Sequence, residues 1–154
     1  MNWLEIEKKF LVDLNKIPFE LNDYQSDEIE QWYLFIDDQK EERIRHRWNR
    51  FYYTTKTWIW EVRWEDEHEI SKDEFYCLWP KTLWFRLEKI RYLVPYKWYT
   101  IELDVYRGNL TWLSVAEIEF ESKNECDMFE YPDWFGEDVT DNPKYKNRNL
   151  INLN

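Results

Sequence analysis

The chain has 154 residues, which is long enough for one domain with a substantial hydrophobic core. Its 44% hydrophobic and 20% aromatic residues exclude an intrinsically disordered protein, although 34% of the residues are charged. The formal net charge of −11 argues against a broad nucleic-acid interface, because such an interface needs a basic surface. It does not exclude a small polyanionic ligand, which needs only a local cluster of Lys and Arg.

The cysteines and the N-terminal residues indicate the compartment. Cys77 and Cys126 stand alone, without CxxC spacing, so neither a zinc site nor a disulfide framework is expected. No apolar run approaches the roughly 18 residues of a membrane span. The N-terminus also lacks the basic-then-apolar pattern of a signal peptide. We therefore expect a cytoplasmic protein with no membrane partner, folded as a single domain over residues 1–154.

Alternating polar and apolar residues predict most of the strands. The first predicted strand covers residues 3–12 and places Glu5, Glu7 and Lys9 on one face. Residues 13–27 are predicted to form a connection with a short helix. Further strands are predicted at residues 28–36, 42–47, 51–56, 63–69, 87–94, 98–106 and 115–121.

Capping patterns predict three short helices. Ser71 and Glu74 form a capping-box pattern that begins a helix ending near residue 79, before Pro80. Ser122 repeats the pattern and begins a short helix that ends before residue 132. Asn142 followed by Pro143 predicts a last helix over residues 143–149.

Charged residues lie along one face of most of the predicted strands. Arg43, Arg45 and Arg47 alternate in one strand, and Glu117 and Glu119 alternate in another. Like charges on one face repel each other unless counter-charges lie among them. Strands that carry both signs therefore favour an antiparallel barrel with a polar lumen. A set of solvated outer faces is the alternative interpretation.

Short motifs in a fixed order connect the chain to a known family. The opening Glu5-x-Glu7-x-Lys9, followed by Phe-Leu-Val, resembles the signature of the CYTH, or triphosphate tunnel metalloenzyme, superfamily. The resemblance continues along nearly the whole chain. The matching segments are QWYL at 31–34, RIR at 43–45, TTK at 54–56, RWEDE at 63–67, EKIRY at 88–92, ELDVY at 102–106, AEIEF at 116–120, PDWFGEDVT at 132–140 and YKN at 145–147.

The resemblance implies a fold and a reaction. It implies a mainly β protein, an eight-stranded antiparallel β-barrel tunnel with a few short helices, including a C-terminal one. It implies hydrolysis of inorganic triphosphate that depends on Mg²⁺ or Mn²⁺. A thiamine triphosphatase, a class IV adenylate-cyclase-like nucleotide enzyme and a catalytically silent polyphosphate-binding module are the alternatives. The expected partner is a small polyanionic substrate and not a nucleic acid, and a homodimer is one expectation for the assembly.

The resemblance also assigns roles to residues of this chain. Tyr33 and Lys89 are assigned to proton transfer, and Glu65 and Glu67 to a second metal or to the attacking water. Arg47, Arg63, Glu69 and Glu121 share these faces and are interpreted as structural ion pairs, while His46 and His68 are predicted to face the other way. Phosphate binding is assigned to Lys9, Arg43, Arg45, Lys56 and Arg91. Metal binding is assigned to Glu5, Glu7, Asp104, Glu117 and Glu119.

The chain contains 11 Trp and only 2 Gly, which is unusual because Gly usually supplies about 7% of residues. Eight of the tryptophans stand where members of the family commonly have Gly, at positions that often need a positive φ or a close backbone approach. We hypothesise that UGA codons meaning Gly were translated as Trp, and UGG codons at these positions would refute the idea. The eight are Trp3, Trp32, Trp48, Trp58, Trp60, Trp84, Trp98 and Trp112.

Overall fold

The computed structural model of the chain describes residues 6–59, 62–82 and 86–153. The described strands are β1 (Ile6–Val12), β2 (Ser26–Ile36), β3 (Lys40–Arg47), β4 (Arg50–Ile59), β5 (Val62–Ile70), β6 (Arg86–Tyr96), β7 (Tyr99–Tyr106), β8 (Ser114–Phe120) and β9 (Phe135–Asp138). They form one antiparallel sheet in the order β5-β4-β3-β2-β6-β7-β8-β1-β9. The predicted mainly β fold is therefore confirmed.

The strand count differs from the predicted eight because β9 adds a ninth, short strand. β9 pairs with β1, where Phe10 lies opposite Asp138. Gly136 makes this close approach possible, since a Cβ there would lie 2.7 Å from the carbonyl oxygen of Leu11. Among the described residues no pairing joins β5 to β9, so the sheet curves around its inner face without closing.

The short helices lie between strands and at the C-terminus. Both halves of the Ser71 capping box are present, because the Ser71 hydroxyl accepts from the Glu74 amide and the Glu74 carboxylate accepts from the Ser71 amide. The α-helices are α1 (Lys72–Leu78), α2 (Lys123–Met128) and α3 (Asn147–Leu150). The 3₁₀-helices are Leu14–Lys16, Leu21–Asp23, Trp79–Lys81, Gly108–Leu110, Pro143–Tyr145 and Ile151–Leu153. None of the helices in the described ranges is long and apolar enough to cross a bilayer.

The prediction of one continuous helix over residues 143–149 is wrong. The structure splits it into the 3₁₀-helix Pro143–Tyr145 and α3, because Lys146 between them has an extended backbone (φ −71°, ψ 134°). Asn142 still caps the first piece through the Lys144 amide, as predicted. The extended residue turns the chain and lets Leu150 enter the core beside Tyr33 and Tyr106.

The outer face of the sheet packs against α1 and the loops. Phe75 of α1 packs against Trp32 and Ile44. His46 stacks on Phe51 with ring centroids 4.8 Å apart, and the His68 ring lies 5.6 Å from the ring of Tyr53 on the outer face. Both histidines therefore face away from the inner surface, as the alternation predicted. The inner face is left for the charged side chains.

The tryptophans at family-glycine positions differ from one another. Trp48, in the β3–β4 turn, has a positive φ of 57°, which L side chains rarely adopt. Trp98, in the β6–β7 turn, is 97% exposed and has no positive φ. Trp32 is buried in the core beside Phe75. The structure thus gives a backbone reason for Gly at position 48. Trp3, Trp60 and Trp84 lie outside the described residues.

Candidate active site

The inner face of the sheet encloses a charged cavity of about 780 Å³. The eight longer strands, β1 to β8, all contribute side chains to the cavity, and the C-terminal segment contributes further side chains. Among the described residues it is lined by ten Lys or Arg side chains and seven Glu side chains. The cavity is therefore locally basic although the chain carries a net charge of −11. This is the local cluster that a polyanionic ligand needs.

One side of the cavity, here named the arginine wall, is formed by Arg43, Arg45, Lys56, Glu65 and Glu67 of β3, β4 and β5. Arg45 Nη2 donates to both carboxylate oxygens of Glu67 at 2.8 and 2.9 Å. The Nζ of Lys56 lies 3.5 Å from Glu65. The Nε atoms of Arg43 and Arg45 are buried and have no hydrogen-bond partner among residues 6–59, 62–82 and 86–153. Both side chains nevertheless line the cavity, so their guanidinium charges lie beside any anion bound there.

Cross-strand pairing assembles the arginine wall. Arg43 lies opposite Thr54 in the β3–β4 ladder, and Thr54 lies opposite Glu67 in the β4–β5 ladder. The Thr54 hydroxyl donates to Glu67 at 2.7 Å, which fixes the carboxylate that holds Arg45. The alternation read from the sequence therefore places these side chains on one face.

The other side, here named the carboxylate wall, is formed by β1, β6, β7 and β8. Lys89 Nζ donates to Asp104 at 2.5 Å, and Arg91 Nε donates to the other oxygen of Asp104 at 2.7 Å. Lys9 Nζ lies 3.0 Å from Glu117. The wall consists of Glu7, Lys9, Lys89, Arg91, Glu102, Asp104, Glu117 and Glu119.

The register of the β6–β7 and β1–β8 ladders explains the ion pairs of the carboxylate wall. Arg91 lies opposite Asp104 in the β6–β7 ladder, and Lys9 lies opposite Glu117 in the β1–β8 ladder. Glu7 of β1 is close enough to Lys56 of β4 for their charges to interact. The two walls therefore face the same cavity, although β1 and β4 are far apart in the order of the sheet.

Burial and charge shift the protonation of several groups. Burial, followed by the neighbouring Arg91 guanidinium, lowers the pKa of Lys89 to about 8. Burial opposes ionisation of Glu117, but the Lys9 and Arg91 charges outweigh it and hold the pKa of Glu117 well below its usual range. Burial and the Glu117 carboxylate raise the pKa of Glu7. Burial also raises the pKa of Glu102, with Glu117 adding to the effect.

The carboxylate wall fits a divalent metal through its donor chemistry. The raised pKa values of Glu7 and Glu102 reflect burial and the negative charge of Glu117 nearby, and a divalent cation would offset both effects. Within residues 6–59, 62–82 and 86–153 no group of three Asp, Glu, His or Cys side chains is close enough to hold a metal alone. A Mg²⁺ site commonly uses one or two carboxylates and takes its other oxygens from substrate phosphates and water. The described residues meet that requirement.

Most of the side chains predicted from the sequence line the cavity. Tyr33 is fully buried beneath it, where its hydroxyl accepts from Gln31 Nε2 at 3.0 Å. Asp104 is likewise buried behind Lys89 and does not line the cavity. Glu5 lies outside the described residues. The predicted residues that line the cavity are Glu7, Lys9, Arg43, Arg45, Lys56, Glu65, Glu67, Lys89, Arg91, Glu117 and Glu119.

The predicted proton-transfer pair is not joined by a hydrogen bond in the structure. Lys89 donates to Asp104 and lies over the Tyr106 ring, with its Nζ 5.7 Å from the centroid. Tyr33 instead interacts with Gln31 and Arg43. Burial, with the charge of Glu41, raises the pKa of Tyr33, which makes its hydroxyl a poor acid.

The residues interpreted as structural ion pairs divide into two groups. Arg47 pairs with Asp27, and Glu69 pairs with Arg50 at 3.5 Å, as interpreted. Arg47 and Arg63 both line the cavity, whereas Glu121 lines a second cavity at the Trp98 end of the sheet. The two arginines therefore lie at the site itself.

Several lining residues were not assigned from the sequence. Glu41 and Glu102 each stand two positions from an assigned residue, so the strand alternation contained the signal. The side-chain carbonyl oxygen of Gln31 is buried and accepts no hydrogen bond from any residue that the structure describes. The C-terminal residues lie outside the sheet and gave no alternation to follow. The unassigned residues are Gln31, Glu41, Trp58, Trp64, Glu102, Thr140, Lys146, Asn147 and Arg148.

Comparison with known proteins places this cavity in a family. No family model matches the chain. An inorganic triphosphatase of Nitrosomonas europaea is 36% identical over 155 residues, which cover 95% of this chain and 95% of that protein. An inorganic triphosphatase of Acetivibrio thermocellus is 34% identical, over 96% of this chain and 92% of that protein. The chain belongs to the CYTH, or triphosphate tunnel metalloenzyme, family.

The fold of this triphosphate tunnel metalloenzyme agrees with a solved relative. The crystal structure of an inorganic triphosphatase matches it with a TM-score of 0.70 at 36% identity, over 96% of this chain and 93% of that chain. The family motifs at 43–45, 88–92, 102–106 and 116–120 all lie on strands that border the cavity. Their order in the sequence therefore reflects successive strands around one site.

Proposed function

We propose that this chain hydrolyses inorganic triphosphate to diphosphate and orthophosphate with the help of a divalent metal. The observation that carries the proposal is a cavity with two chemically different walls, one of guanidinium groups that lack a partner at Nε and one of carboxylates. Guanidinium forks bind phosphate oxygens in pairs, and carboxylates bind divalent metals. The two similar inorganic triphosphatases support the same substrate.

The arginine wall holds the substrate in this proposal. Arg43 and Arg45 donate to phosphate oxygens from their guanidinium groups, and Lys56 adds a charge beside them. Lys9 and Arg91 contact the same polyphosphate from the carboxylate wall. Triphosphate carries several negative charges along its length. Cations on both sides of the cavity therefore bind it more tightly than cations on one side alone.

Glu7, Glu117 and Glu119 are the described residues that would hold the metal, together with phosphate oxygens of the substrate. Mg²⁺ or Mn²⁺ bound there would neutralise charge on the phosphoryl group that is transferred. Glu5 is proposed as a further ligand from the family motif alone. Asp104, which is already engaged by two cations, acts on the site by fixing Lys89 and Arg91.

Lys89 is the proposed general base. Its lowered pKa of about 8 leaves a fraction of the amine neutral near physiological pH. The Nζ atom accepts a proton from the attacking water, the water oxygen bonds to the terminal phosphorus, and the bridging P–O bond breaks to release diphosphate. Tyr33 supports this step by positioning Gln31 and Arg43. Glu65 and Glu67 hold the arginine wall in place, and a role in orienting the water is proposed for them.

Phosphate release tests the proposal directly. Tripolyphosphate, ATP and thiamine triphosphate are each incubated with the protein in Mg²⁺, Mn²⁺ or EDTA. We expect release that favours tripolyphosphate, requires metal and is lost in Glu117→Gln. Glu130→Gln is the matched control, because Glu130 is exposed and pairs only with surface Lys97 in the described structure.

Other outcomes select the alternatives. Preference for thiamine triphosphate or ATP would assign the site to one of those substrates instead. Metal-dependent binding of tripolyphosphate without release would identify a silent polyphosphate-binding module. Release that is unchanged in EDTA would contradict the metal requirement. A cytoplasmic location, a homodimer and the exclusion of nucleic-acid and membrane partners stay predictions from the sequence.

A further inference from the structure

The C-terminal strap, defined as residues 142–153, crosses one end of the cavity. The carbonyl oxygen of Tyr145 accepts from Lys9 Nζ at 3.3 Å, which ties the strap to β1. At its other side, Arg148 Nη1 donates to the carbonyl oxygen of Asp37 at 2.9 Å, in the turn between β2 and β3. The strap therefore spans from the carboxylate wall to the strand that begins the arginine wall.

Buried contacts fix the strap in this position. The side chains of Leu150 and Ile151 are buried in the core that contains Tyr33 and Tyr106. The Tyr106 hydroxyl donates to Asn147 Oδ1 at 2.5 Å, directly between the two basic residues of the strap. Because Leu150 and Ile151 are buried in this core, they anchor the strap at the cavity rim.

Two cations of the strap, Lys146 and Arg148, line the cavity without a carboxylate partner in the described part of the chain. The cations of the two walls differ, since Lys9, Arg45 and Lys89 each form an ion pair with a carboxylate. Arg148 lies over the Trp58 ring, 5.1 Å from its centroid, and its Nε is buried with no partner. The positive charge of these two cavity-lining side chains is thus not neutralised by a carboxylate of the described residues.

We propose that Lys146 and Arg148 bind the end of the substrate that extends from the deep part of the cavity, and that they select triphosphate over diphosphate. This inference rests on the proposed function. Lys89 and Arg43 are 2% and 6% exposed, whereas Lys146 is exposed at the rim. On this inference a diphosphate bound by the deep cations does not extend to the strap, while a triphosphate places one more phosphate group toward it.

The test compares Lys146→Gln, Arg148→Gln and Arg148→Lys with the control Lys144→Gln. Lys144 lies on the same strap but does not line the cavity, and it packs over Trp112. We measure kcat and KM for tripolyphosphate and the inhibition constant of pyrophosphate. For Arg148→Gln we expect KM to rise about tenfold, which corresponds to about 1.4 kcal/mol, with kcat and pyrophosphate inhibition within about twofold. Lys146→Gln should raise KM by about threefold, and Arg148→Lys should recover part of the loss.

Two outcomes overturn the inference. One is a KM in Arg148→Gln and Lys146→Gln that matches the Lys144→Gln control. The other is a loss of pyrophosphate binding equal to the loss of triphosphate binding, since the strap would then act on the whole site. If the unaltered protein binds tripolyphosphate in calorimetry but does not hydrolyse it, the proposed function fails, and the same variants are compared by dissociation constant instead.

Discussion

The two walls of the cavity hold their charges in different ways. In the carboxylate wall, Asp104 is fully buried, and two cations from β6 neutralise its charge. These ion pairs are formed entirely within the protein and are shielded from solvent. In the arginine wall, Arg45 is buried but its partner Glu67 lies on the edge strand β5 and is exposed. Two arginine Nε atoms of that wall also lack hydrogen-bond partners within the described part of the chain.

Because of this difference, we expect the two walls to affect different steps of the reaction. A buried ion pair costs desolvation free energy, and removing one partner leaves an uncompensated charge, so the carboxylate wall should tolerate little change. The arginine wall is partly open to solvent and partly unsatisfied, which suits a surface that binds and releases an anion. We expect the carboxylate wall to control kcat and the arginine wall to control KM.

The largest expected effect comes from the carboxylate wall. Glu117→Gln removes a proposed metal ligand and the partner of Lys9, and we expect kcat for tripolyphosphate to fall at least about a hundredfold. The corresponding change in the arginine wall, Glu67→Gln, should lower kcat far less. Phosphate release under saturating substrate measures both. Circular dichroism of each variant separates this effect from unfolding, and equal losses of kcat would contradict the division between the walls.

The second effect is on substrate binding. Arg45→Gln removes a guanidinium that reaches the cavity, and we expect KM to rise about thirtyfold with kcat nearly unchanged, as for a lost hydrogen bond to a charged group. Glu69→Gln is the control, because Glu69 lies on β5 beyond the site and pairs with Arg50 at the surface. A fall in kcat at unchanged KM would place Arg45 in the chemical step and reverse the assignment.

The third effect is on pH dependence. Because the pKa of Lys89 is lowered to about 8, its ammonium form prevails below that pH and its neutral amine prevails above it. If the neutral amine is the base, kcat rises with pH, by about tenfold between pH 7 and pH 9. Arg45→Gln should keep this profile, whereas Lys89→Arg should lose both the activity and the inflection. A flat profile in the unaltered protein would exclude Lys89 as the base.

The sequence predicted the sheet, and most of the predicted site residues line the cavity, because strand alternation puts every second residue on one face. Arg43, Arg45, Glu65 and Glu67 lie where that rule placed them. The rule does not distinguish a side chain that reaches the cavity from one buried beneath it, as Asp104 is. That difference depends on which neighbours take up its charge, and those neighbours come from another strand.

Two other features depend on contacts distant in sequence and could not be read from local patterns. The strand β9 forms because Gly136 lets the chain approach Leu11, more than a hundred residues earlier. The strap reaches the cavity because Lys146 is extended and Leu150 is buried against the sheet. Local capping signals at Asn142 and Pro143 predicted a helix there, and the packing of the segment divided it.

The smallest expected effect is on stability, and it differs between the β3–β4 turn of the arginine wall and the β6–β7 turn of the carboxylate wall. Trp48 in the β3–β4 turn has a φ of 57°, so Trp48→Gly relieves backbone strain of about 1–2 kcal/mol, which exceeds the roughly 0.5–1 kcal/mol lost to greater chain freedom. Trp98 in the β6–β7 turn has no such strain and is exposed, so Trp98→Gly adds freedom alone. We expect the free energy of unfolding in urea to rise in the first variant and fall in the second. Changes of the same sign would show that the backbone at position 48 carries no special need for Gly, and would remove the structural support for Gly at that turn.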